Sequence, residues 1–177
     1  MRITFEEAHM SIETLQDLYI EELKDIYSAE NQIIKALPKM AAGANHANLK
    51  RSFEEHLDVT REQVKRLETI FTDLGEKPTG KHCKGMEGLI EEGKELLEED
   101  ADPDVRDAGL IGAAQRVEHY EIAAYGTARN LALQLGLTAH ADLLQQTLDE
   151  EGETDKKLTM LAEGGVNKDA LIGRRHG

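Results

Sequence analysis

The sequence predicts an all-α protein, a bundle of four long helices, on three observations. The chain is rich in Ala, Leu, Glu and Lys, with three prolines and 4% aromatic residues among 177, a composition that favours helix over sheet. Four long stretches carry apolar residues at i, i+3, i+4 and i+7, the period of one helix face. Two of the three connections between them are short and glycine-marked, whereas the third is long. Two hairpins joined by one crossover is a known way to thread a four-helix bundle.

Residues 1–10 read as a leader outside the pattern. Ser11 is the expected N-cap of the first long helix, with Glu13 in its first turn favouring the helix dipole. That helix runs to about Gly43, with Pro38 near its end, and its stripe is Leu23, Ile26, Glu30, Ile33, Leu37. The second long helix covers about 46–74 and stops at Gly75; its stripe is Leu49, Phe53, His56, Thr60, Gln63, Leu67, Phe71. The long connection, 75–102, contains Pro78, Gly80 and a short acidic helix over 86–98. A crossover of that length lets the second and third long helices lie parallel.

Asp102-Pro103 is a strong start signal, an N-cap followed by proline at N1. The third long helix continues to about Leu135 and stops at Gly136. Its stripe is Leu110, Ala114, Val117, Glu121, Ala124, Ala128, Leu131, Leu135, with Glu118 one turn before Glu121. Thr138 is the expected N-cap of the fourth long helix, whose stripe is Leu144, Leu148, Glu151, Asp155, Leu158, Ala162 and which ends at Gly164-Gly165. The bundle thus spans 11–165, and 166–177 form a short tail, basic at its end and loosely held.

The formal charge of −14 argues against nucleic acid or an anionic membrane as a partner. Cys83 is the single cysteine, so no intrachain disulfide forms and a reducing compartment fits. The start, MRITFEEAHM, lacks an apolar segment of signal-peptide length, and nothing downstream reads as a membrane span. The expected location is the cytoplasm.

A carboxylate interrupts three of the four stripes, and an imidazole the other. At ~1.5 Å per residue, Glu30 lies about 20 Å from the first tight turn, Glu121 about 22 Å from the second, and Glu151 about 20 Å past the start of its helix. All stand near mid-height. An unpaired buried carboxylate costs several kcal/mol or takes up a proton. Converging carboxylates with an imidazole suit a pair of iron or manganese ions, whose charge keeps the acids ionised away from water. The alternative for each acid is a boundary position, its stem buried and its head in water. For His56 the alternative is a satisfied core histidine, and Tyr27, Tyr120 and Tyr125 read as packing residues with wetted hydroxyls.

The segments LYIEELKDIYSAENQIIKALPKM, FEEHLDVTREQVKRLETIF, VEHYEIAAYGTA and TLDEEGETDKKL resemble the ferritin-like, YciE/YciF-type bacterial stress proteins, distant relatives of rubrerythrin. The resemblance covers about residues 10–161. It implies a ferritin-like bundle, a homodimer, a mid-bundle metal site and a link to bacterial stress. Ferritin-like di-iron sites draw one Glu from each of two helices and a Glu-x-x-His from each of the other two. Here Glu30 fits the first helix and Glu121 or Glu118 the third. Position 53, three before His56, is Phe, and position 154, three after Glu151, is Thr. The candidate ligands are Glu30, His56, Glu118, Glu121, Glu151 and Asp155, with Tyr27 and Gln63 beside them. Two iron ions per chain are expected, with manganese as the alternative metal. The activity that fits is oxidation of Fe(II) by oxygen or peroxide. The missing glutamate and histidine keep a second reading open, a non-catalytic stress protein acting through dimerisation or a protein partner.

Overall fold

The computed structural model of the chain describes residues 12–172. Among them lie α1 (Leu15–Gly43), α2 (Ala47–Leu74), α3 (Lys84–Glu98), α4 (Pro103–Gln134) and α5 (Thr138–Leu161), then a π-helical turn (Ala162–Val166) that leads into α6 (Asn167–Ile172). No strand occurs among the described residues, so the all-α reading holds. The expected leader lies outside them.

The helix ends follow local chemistry. The cap of α1 is Thr14 and not Ser11, which lies outside the described residues. Thr14 Oγ1 accepts from the Asp17 amide at 3.1 Å and the Asp17 carboxylate accepts from the Thr14 amide at 2.9 Å. This reciprocal box satisfies two otherwise orphaned donors. Gly75 ends α2 at φ 68°, a left-handed conformation cheap only for glycine. The Asp102 carboxylate accepts from the Asp104 amide at 2.9 Å, with Pro103 in the first turn of α4. Leu137, not Thr138, occupies the N-cap of α5 and makes no side-chain bond there. Its side chain packs instead against the apolar core, and Gly136, at φ 76°, makes the turn before it.

Threading follows from one buried aspartate. Asp107, near the start of α4, accepts from the Asn45 amide at 2.8 Å and the His46 amide at 2.6 Å in the α1–α2 turn. The starts of α2 and α4 therefore sit at the same end, and the two helices run parallel. At the opposite end His140, at the start of α5, bonds Asp73 at the end of α2 (2.8 Å) and stacks on Tyr19 near the start of α1. α1 and α2 pack as one antiparallel pair, α4 and α5 as another, and the crossover helix α3 lies against α1 and α4.

The core is double. One apolar cluster, including Leu37, Leu49, Phe53, Leu110 and Leu158, fills the end where α2 and α4 begin. The other, including Tyr19, Leu23, Leu67, Phe71 and Leu144, fills the end where α1 and α5 begin. Between them lies a buried layer of Glu30, His56, Thr60, Gln63, Glu118, Glu121 and Glu151. The chain does not stop packing at Gly164-Gly165: Val166 is buried in the first cluster and α6 runs against α4. The helical dihedrals break only at Gly165.

Candidate metal centre

His56 of α2, Glu118 and Glu121 of α4 and Glu151 of α5 each bring one potential ligand atom into a group within 4.8 Å of one another, all four residues being buried. His56 Nε2 stands 3.4 Å from Glu118 Oε1 and 3.9 Å from Glu151 Oε2. Glu30 of α1 joins from the side, within hydrogen-bonding reach of Glu121 if one of the two carboxyls carries a proton. It also accepts a short hydrogen bond from the Tyr125 hydroxyl.

Thr154 favours one tautomer of the imidazole. Thr154 Oγ1 donates to the Glu150 carbonyl at 3.0 Å, which leaves its lone pairs to accept from His56 Nδ1 at 3.4 Å. A proton on Nδ1 leaves Nε2 with a bare lone pair facing Glu118 and Glu151. Burial, acting first, pushes the His56 pKa down against the upward pull of Glu151 and Glu150. The ring is thus biased toward its neutral, metal-binding form. Gln63 donates a short hydrogen bond to Glu151 and a longer one, 3.2 Å, to Glu150. Arg66, the cation on that side, is spent bidentately on Glu150 at 2.6 and 2.7 Å.

The acids are only partly compensated. Glu30 Oε2, His56 Nε2, Gln63 Oε1, Glu118 Oε2, both Glu121 oxygens and Glu151 Oε2 are buried without a hydrogen-bond partner. Burial, followed by Glu151, pushes the Glu30 and Glu121 pKa values well up. Burial, then a hydrogen bond with Glu151, does the same for Glu118. Protons shared between Glu30 and Glu121, and between Glu118 and Glu151, are one way to relieve this; a cation is the other. Lone pairs converging from three helices on one small volume, with only the Gln63 amide and the Tyr125 hydroxyl donating at its edges, fit a divalent ion.

Residues 14–171 match the family described as a domain of unknown function, DUF892. The chain belongs to this family. It is 46% identical over 162 residues to protein YciF of Escherichia coli (strain K12), covering 91% of this chain and 98% of that protein. The crystal structure of the E. coli stress protein YciF matches this DUF892 chain with a TM-score of 0.86, over 89% of it and 99% of the relative. YcfI from Rhodopseudomonas palustris matches at 0.82, with 43% identity over 85% and 96% of the two chains. A Xanthomonas campestris protein at 19% identity and a TM-score of 0.71 shares the fold.

Within the DUF892 bundle, five of the six expected ligands, Glu30, His56, Glu118, Glu121 and Glu151, come together. Asp155 does not. It sits at the edge of the α4–α5 interface, accepting from Gln115 at 3.0 Å and facing His119 at 3.3 Å. Four residues beyond Glu151, it has rotated about 40° off the inward line. Tyr27 is also elsewhere: its hydroxyl donates to Glu68 at 3.2 Å and its ring packs edge-on against Phe71. Tyr125, read from sequence as a wetted packing residue, is fully buried and bonds Glu30. The signal was present in its spacing, four residues after Glu121. Phe53 belongs to the apolar cluster, so α2 contributes only its imidazole.

Proposed function

We propose that this protein is a cytoplasmic stress-response protein that holds two divalent iron ions, or manganese in their place, in the mid-bundle layer. The observation that carries the reading is the set of buried, partnerless lone pairs centred on both Glu121 oxygens and His56 Nε2. Four carboxylates carry four formal negative charges, which two divalent ions neutralise. Hard oxygen donors with one imidazole suit iron and manganese better than softer metals. In this reading His56, Glu118, Glu121 and Glu151 bind, and Glu30 completes the set beside Tyr125. Thr154 and Gln63 fix their neighbours, and the two apolar clusters keep bulk water out. A bound iron pair would supply one electron per ion, enough, with two protons, to reduce one hydrogen peroxide to two waters.

No helix among the described residues is long and apolar enough to cross a membrane, which is compatible with the cytoplasmic setting. Metal analysis after reconstitution with Fe(II) or Mn(II) tests the proposal. Wild type and Glu98→Ala are expected to retain one to two ions per chain and Glu121→Ala to retain none; equal loading of all three refutes it. The chain is further proposed to act as a homodimer, for which light scattering should give about twice the 19.7 kDa chain mass. Phe53 and Thr154, standing where a glutamate and a second histidine would complete a di-iron set, favour a second reading. In that reading the bundle binds metal weakly and works through a protein partner.

A further inference from the structure

α3 is seated on the bundle at its two ends. A Cβ on Gly85 would approach Tyr120 to 2.7 Å, one on Gly109 would approach Leu96 to 2.6 Å, and one on Gly43 would collide with Leu97. These glycines let α3 sit close to α1 and α4, yet its middle turns leave space beneath them. There a cavity of about 260 Å³ runs under Ile90 and Gly93, past Phe53 and Leu158, to the buried side chains of His56 and Glu118. Its walls are mostly aliphatic. An apolar cavity of about 150 Å³ is enough to admit a benzene ring, so this one has room for a longer chain. A void of this size forfeits many packing contacts, and filling it with an apolar guest regains them.

The mouth, between α1 and α3, has its own charge pattern. Glu91 pairs with Lys94 at 2.9 Å, and Glu87 lies 3.0 Å from the His82 ring. Lys35 and Lys39, one helical turn apart on α1, are exposed and have no ion pair among the described residues. On a chain with a net charge of −14, this leaves a local cationic pair at the entrance of an aliphatic cavity.

We propose that the cavity binds a single-chain aliphatic anion of the fatty-acid type, its chain lying under α3 toward His56 and Glu118 and its head group on Lys35 and Lys39. The inner end adjoins the proposed metal site, but the walls and mouth do not depend on a bound ion. The two proposals therefore fail separately.

Dodecanoate is the probe, titrated by calorimetry into chelator-treated and metal-loaded full-length protein. Saturable binding of one dodecanoate per chain is expected in both. Gly93→Leu, which projects a side chain from α3 into the cavity, should abolish it with metal content unchanged. Glu121→Ala should lose metal and keep dodecanoate, because Glu121 does not line the cavity. The double variant Lys35→Glu, Lys39→Glu lies on the surface and should weaken dodecanoate by at least about tenfold while leaving dodecanol unaffected. Methyl NMR locates the ligand independently of any variant: Ile90 and Leu158 should shift, and Leu23 and Leu144 in the opposite cluster should not. Absence of saturable binding, shifts confined to the opposite cluster, or equal affinity in the lysine variant overturns the proposal. A change in oligomer mass with Gly93→Leu would mean that a second copy of the chain, and not an amphiphile, covers the mouth.

Discussion

Replacing Glu121 by glutamine should stabilise the metal-free protein while destroying its capacity for metal. Glu121 is 2% exposed and neither oxygen has a partner, so without a cation it is an uncompensated buried charge or a carboxyl forced to take a proton. Leaving a buried charge unpaired costs about 3–5 kcal/mol, and proton sharing with Glu30 relieves part of that. A net gain of about 2–3 kcal/mol for Glu121→Gln is therefore expected, or about 4–12 °C in Tm at ~2–4 °C per kcal/mol for a chain of this size. The new amide also supplies a donor to a layer in which Glu30 Oε2 and Glu118 Oε2 have none.

The gain should depend on pH. Glu30, Glu118 and Glu121 have folded pKa values raised above the ordinary 4.5, so the folded state binds more protons than the unfolded. Metal-free stability should fall as pH rises from about 4.5 through the raised values. His56, whose folded pKa is lowered below 6.5, works in the opposite sense. The unfolded state binds more protons there, so stability rises with pH up to 6.5 and His56 contributes nothing further above it. Because wild type and variant share His56, the difference between their melting curves isolates the acids. Chelated samples of both, scanned calorimetrically from pH 5 to 8.5, should diverge with rising pH, and Fe(II) or Mn(II) should raise the wild type alone. Parallel curves with no metal response would show that Glu121 is an ordinary boundary acid, and the charge argument would fail with it.

The imidazole and the α1–α2 turn give two more tests. Thr154→Val removes the group that holds the His56 tautomer and should weaken metal binding by about 10–100-fold with helicity retained; unchanged affinity in a competition titration would show that Thr154 does not orient the ring. Asp107→Ala leaves the Asn45 and His46 amides of the α1–α2 turn without their buried, charged acceptor. At about 1.5–3 kcal/mol per bond to a charged group, it should destabilise by about 3–6 kcal/mol in urea melts at unchanged metal stoichiometry.

Those two residues also mark where sequence reasoning stops. The mid-height acids were legible because a carboxylate on an otherwise apolar stripe is a local anomaly, and helix rise alone sets its height. The parallel α2 and α4 were legible because a long connection spans the bundle. Asp155 was misplaced because an i+4 step looks equivalent to a true inward position until the neighbouring helix fixes the angle. Tyr125 was misread because whether a hydroxyl is wet depends on α1, which is 95 residues away. Thr154 looked like a deletion from the ligand set; its contact with a ring on another helix, 98 residues away, carries no local trace. The helix does break at Gly165, but the loosely held tail expected after it was not legible, because whether the chain packs on beyond a break depends on a distant surface, here that of α4.

The layered interior also settles how the four rods align along their length. Two greasy ends separated by nothing would let any helix slide by a turn at small cost, since one leucine can replace another. The polar storey forbids it. On α4 the two glutamates are nearly a turn apart, so that helix alone tolerates a slip, but α2 offers a single imidazole and α1 a single carboxylate. Shifting either by 5.4 Å would drive an acid or a ring into aliphatic surroundings and take a ligand away from its partners. Groups that are a burden to a metal-free interior thus act as its alignment pins.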